Sequence, residues 1–174
     1  MVTSSTVASD SRANLRPIIE DAFTKILSSI DCQNIYFEEL PPITSNEELF
    51  SLLRVSDDSP QGILEAWFFT RDSISNNTNN ISYSRYPQVH EINILGMAYH
   101  NDFHNSYQYI QDKTETLMWT LEKNKNFISS EIDFITVSNA RFSFEQFGEL
   151  YLYRSTTGVS LHRTINESSG RSFE

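Results

Sequence analysis

A chain of 174 residues with 39% hydrophobic and 13% aromatic side chains can bury one real core and is too apolar for a disordered polymer. Its net charge of −10, from 23 acidic against 13 basic residues, argues against a free-standing nucleic-acid binder, which needs a cationic face to neutralise phosphates. One cysteine, Cys32, excludes an intramolecular disulfide framework and fits a reducing compartment. No apolar run approaches the ~20 residues that span a bilayer, and "MVTSSTVASDSRAN" lacks a signal-peptide core, so folding in a cytoplasm is expected.

Residues 1–13 are rich in Ser and Thr and read as a flexible N-terminal arm. From Leu15, the residues Ile18, Ile19, Ala22, Phe23, Ile26, Leu27 and Ile30 recur at three- and four-residue spacing. They form one stripe of an amphipathic helix, with Pro17 tolerated in its first turn. "NIYFEEL" follows as a short strand stopped by Pro41 and Pro42. Ser45 is placed to cap a short helix, with Glu48 completing a capping box and Leu49, Phe50, Leu52 and Leu53 forming an apolar face.

"GILEAWFFTRDSIS" reads as a strand with Leu64, Ala66 and Phe68 on one face and Trp67 and Phe69 on the other. Aromatics on both faces imply that the second face is covered too, by another element or another subunit. The asparagine-rich "DSISNNTNNISYSRYPQ" has no apolar period and reads as a long, flexible connection between strands.

A strand from about Val89 to Tyr99 comes next, with Ile92 and Ile94 inward and Gly96 permitting a bend or a close neighbour. Asn105 or Ser106 then caps a helix whose buried stripe is Tyr107, Ile110, Thr114, Leu117, Met118 and Leu121, with Lys123 and Lys125 suited to its C-terminal dipole. "IDFITVSNARFSFEQF" and "ELYLYRSTTGVSLHRTI" are the last strands, with Gly148 and "STTG" as turn signals. Residues 167–174 read as a tail. The expected fold is a single α+β domain over residues 14–166, in the order α-β-(α)-β-β-α-β-β. Its sheet is antiparallel-dominated, with two amphipathic helices packed on one face.

The stretch "HEINILGMAYHNDFHNS" carries three of the four histidines and poses the question of a metal centre. A zinc-peptidase H-E-x-x-H needs two imidazoles one helical turn apart, but position 94 is Ile and the segment alternates like a strand. His100 and His104 have i, i+4 spacing, yet Asn101 and Asp102 between them are turn residues. Cys32 has no partner motif, and neither a G-x-S-x-G, a P-loop nor a dinucleotide fingerprint occurs. The adjacent Glu38 and Glu39 would point to opposite faces of a strand. The expectation is therefore a non-enzyme, with no metal and no cofactor.

What remains is an interaction protein able to oligomerise through sheet edges. Candidate interface residues are Trp67, Phe69, Arg71, Arg85, Tyr99, His100, His104, Arg141 and Arg154, with the arginines, Arg163 among them, able to pair between subunits.

The helix "LRPIIEDAFTKILSSI" with its strand "NIYFEEL", the Trp-bearing "EAWFFTRD", the variable loop, the "ILGMAYHND" strand with its capped helix, and strands ending in "GVSLHRTI" together resemble the tail terminator proteins of long-tailed bacteriophages. The resemblance runs from about Leu15 to Ile165. It implies a structural virion protein at the tail neck, made in the host cytoplasm. The family forms a ring, usually a hexamer, on the last ring of tail tube protein and stops tube growth. That ring offers a docking face to head-completion or connector proteins, holds the sheath in contractile tails, and lets DNA pass through its lumen without specific binding. An acidic lumen would suit that passage. Two competing readings are another head–tail connector or tail-completion protein, and a small metal-dependent enzyme using His90, His100, His104 and Asp102.

Overall fold

The apolar stripe that begins at Leu15 folds as α1 (Arg16–Ser29), with Pro17 in its first turn and Ile19, Ala22, Phe23, Ile26 and Leu27 buried. The structure is a computed structural model, and it describes residues 15–32, 34–53, 64–76, 85–99, 103–124, 132–147 and 150–166. The arm, the tail, Lys125, Gly148 and residues 77–84 of the asparagine-rich loop lie outside the described residues. At the end of α1, Cys32 N–H donates to the Leu27 carbonyl at 2.9 Å and Asp31 N–H to Ser28 at 3.3 Å. This is a Schellman closure, with Asp31 in the left-handed region at φ 55°, the position usually given to glycine. Lys113 Nζ adds donors to the Ile30 and Asp31 carbonyls, at 2.5 and 3.0 Å.

The strand expected in "NIYFEEL" shrinks to β1 (Ile35–Tyr36), because the chain bends away at Phe37 and Glu38. Next, α2 (Asn46–Leu53) buries Leu49 and Leu53, while Phe50 and Leu52 are half-buried. Ser45 Oγ accepts from Glu48 N–H at 3.2 Å, as a capping box requires. In return the Glu48 carboxylate accepts from the N–H and hydroxyl of Thr44, both at 2.8 Å, with a smaller contribution from the Ser45 backbone. Those bonds hold the Glu48 carboxyl below its ordinary pKa.

Three longer segments pair next. β2 (Leu64–Asn76) lies antiparallel to β3 (Arg85–Tyr99), and β3 lies antiparallel to β6 (Leu150–Asn166). The connection expected across "DSISNNTNNISYSRYPQ" is therefore partly strand. A bulge between Arg71 and Ser73 resets the register, after which Ser73 to Asn76 pair with Glu91 to Gln88. Backbone pairing needs no apolar alternation, and a β6 that runs to Asn166 supports the far end of β3.

The helix α3 (Phe103–Lys123) starts before its expected cap, so that Asn105 and Ser106 lie inside it. Its buried side is Ser106, Ile110, Thr114, Leu117 and Leu121, whereas Tyr107 is exposed and Met118 half-buried. The last strands are β4 (Phe134–Val137), β5 (Arg141–Phe147) and β6.

"STTG" is no turn: it continues β6, whose β-branched threonines suit an extended chain. The break falls instead opposite it, between β4 and β5. Val137 pairs with Val159 and Arg141 with Thr156, so three residues of one strand face two of the other, a bulge on the edge. Ser138 fills the gap, its N–H donating to the Gly158 carbonyl and its Oγ accepting from Gly158 N–H, at 2.8 and 2.9 Å.

The sheet order is β1-β2-β3-β6-β4, with β5 also on β6. Only β1 is parallel to its neighbour. This is the expected α+β fold with a mostly antiparallel sheet, and α1 and α3 share one face over a core that includes Trp67, Phe69, Ile92, Ile94 and Val159. A third helix, α2, covers the other face, against Ala66, Phe68, Met97 and Leu152. The aromatics on both faces of β2 are thus covered by elements of this chain. Trp67 and Phe69 are 0% and 4% exposed, which removes both from a candidate interface.

Candidate functional site

The interior polar groups are ties between layers. Glu65, buried on β2, accepts a 2.8 Å hydrogen bond from Tyr109 Oη on α3. Cys32 lies within the field of this carboxylate. Burial first, then the Glu65 charge, raises the Cys32 thiol well above its ordinary pKa. The Tyr109 phenol rises for the same two reasons. A thiol held protonated is a poor nucleophile.

The histidine-rich stretch also turns inward. His90 faces the helix layer and is buried, and neither ring nitrogen has a hydrogen-bond partner among the described residues. Burial, then the positive charges of Arg163 and Arg71, lowers its pKa. Glu91 points to the opposite face and accepts from Ser160 Oγ at 2.7 Å, so the "HE" pair diverges as strand neighbours must. Among the described residues no three His, Cys, Asp or Glu side chains gather in metal-holding range. His100, Asp102 and the side chain of His104 lie outside the described residues, although position 104 is helical.

The remaining candidates scatter. Arg85 begins β3 opposite Asn166. Tyr99 ends it half-buried, edge-on to Phe50 of α2 at 5.6 Å. Arg154 closes an ion pair with Glu145 on the neighbouring β5. Arg141, exposed, starts β5. Arg71, also exposed, rims a cleft of about 260 Å³ between α1 and β2, lined by Arg16, Ile19, Phe37, Glu38, Glu39 and Phe69.

The site that emerges is the β4–β5 edge, and sequence reading missed most of it. Both strands pair with β6, and among the described residues no strand pairs with their outer side. Exposed aromatics collect there: Trp119 is 60% exposed, Phe144 63%, and Phe134 and Tyr151 each 42%. Phe134 stacks on His162 at 4.2 Å. Phe144 and Tyr107 both approach the ring of Tyr153. Trp119 overhangs β4 beside Ile135 to Val137, with Lys123 Nζ 4.6 Å above its ring. The signal available in the sequence was Trp119 itself. It lies two residues from Leu117 and so about 200° around α3 from the buried stripe, facing away from the core. Unpaired backbone beside exposed aromatic rings has one ready use, which is to bind another chain.

The sequence matches no protein-family model and no curated protein. No helix among the described residues is long and apolar enough to cross a membrane.

Proposed function

We propose that this chain is a structural virion protein, a subunit of a tail terminator ring. In this reading several copies, six by family resemblance, close a ring on the end of the tail tube in the host cytoplasm. The ring ends tube growth, docks the head-completion or connector protein, and in a contractile tail also holds the sheath. The observation that carries the reading is the β4–β5 edge, which no strand among the described residues covers, with the exposed aromatics Trp119, Phe134, Phe144 and Tyr151. Large apolar rings on a small domain cost solubility unless another chain covers them. The order of elements quoted for the resemblance adds support.

The test is tube elongation. Tail tube protein polymerising in vitro should stop at short, uniform lengths when the full chain is added. Growth unchanged at a molar excess of the chain over tube ends would contradict the proposal.

A further inference from the structure

The two opposite edges of the sheet differ in shape: one carries a projecting indole and the other an apolar cleft. On the β4 side, Trp119 projects 60% exposed, with the Lys123 ammonium over its ring. Lys123 makes no ion pair among the described residues, and the exposed Glu122 lies beside it. On the β1 side, the helix α1 and strand β2 leave the cleft of about 260 Å³, with Ile19, Phe37 and Phe69 in its wall. Its rim carries exposed Glu38 and Glu39, neither of them in an ion pair among the described residues. The same rim also carries two cations, Arg71 and Arg16; Arg16 pairs with Glu20 at 2.5 Å and lies in the field of Glu38 as well.

We propose that the occupant of this cleft is a second copy of the chain: Trp119 of one subunit seats between α1 and β2 of the next, and its Lys123 meets Glu38 and Glu39. The contact is head-to-tail, because knob and cleft lie on opposite edges of one sheet. A contact of that kind makes rings when the rotation closes. Indole burial would supply most of the affinity, as aromatic anchors do at interface centres, while the charges fix register. This rests on the ring reading and adds to it which surfaces meet.

The test measures copies per particle, by mass photometry of the full chain with and without purified tail tubes of the same phage. Trp119→Ala removes an exposed side chain and should leave the fold intact, which circular dichroism checks. It should raise the concentration for half-assembly about tenfold or more. Lys123→Glu and the double change Glu38→Lys/Glu39→Lys should each fail to assemble alone, and an equimolar mixture of the two should assemble. Rescue by mixing requires a head-to-tail contact between these residues.

Assembly of Trp119→Ala and Lys123→Glu at wild-type concentrations, with rings still forming on tubes, would overturn the contact and leave the terminator reading standing. A wild-type chain that stays monomeric both alone and on tubes would overturn both.

Discussion

A Cβ on Gly96 would lie 2.6 Å from Cζ3 of Trp67 and 2.7 Å from Ser155 Oγ, so the indole that fills the core needs a glycine directly across the β2–β3 pair. Gly96→Ala should cost about 1–3 kcal/mol, read as a lower urea midpoint with an unchanged m-value. Gly158→Ala is a contrast. Its Cβ would meet Ser138 Oγ at 2.8 Å with the next atom at 3.7 Å, and a hydroxyl can turn aside. The expected loss is about 1 kcal/mol, the worth of the hydrogen bond given up.

His90 gives a pH dependence. Its folded-state pKa lies below the ordinary 6.5, so just below pH 6.5 the unfolded chain binds the proton that the folded chain refuses. Stability from this residue is complete above pH 6.5 and is lost as pH falls toward the depressed folded value. Melting temperature should drop between pH 7 and pH 5, and His90→Leu, which has no proton to gain, should flatten that slope. An identical slope in the variant would remove His90 as its source.

At the scale of elements, legibility followed the physical source of each signal. The helix α1 is plain because its stripe is local: one face of a single segment meets the core. The extensions of β2 and β3 and the continuity of β6 through "STTG" were invisible, because a partner strand's backbone stabilises them and no side-chain period records it. The β4–β5 break has the same origin, an extra residue that has meaning only against β6. The cap of α2 was readable to within one residue. Glu48 takes its main hydrogen bonds from Thr44, with a smaller contribution from the Ser45 backbone. Ser45→Ala should lower stability by about 1 kcal/mol through the lost cap. Thermal melts of wild type and variant measure it, and equal melting temperatures would show that the cap contributes nothing.

Over the whole molecule, which candidates are exposed was only partly legible. Arg71 and Arg141 were singled out and lie exposed, but Trp67 and Phe69 proved to be core, because only the fold shows that α1 and α3 cover one face of β2 and α2 the other. The surface aromatics that replace them, Trp119 and Phe144, look like any other aromatics until the buried stripe is known. Shape adds a second layer. The exposed indole of Trp119 stands at one edge and the cleft between α1 and β2 at the other, so the molecule has a direction across its sheet. A directional subunit with an open edge is suited to a ring.

The most direct measurement of that claim is electron microscopy of tail tubes incubated with the full chain. A closed ring of several copies is expected at one end of each tube, with Trp119 buried between neighbouring subunits. Bare tube ends, with the chain remaining monomeric in solution, would contradict it.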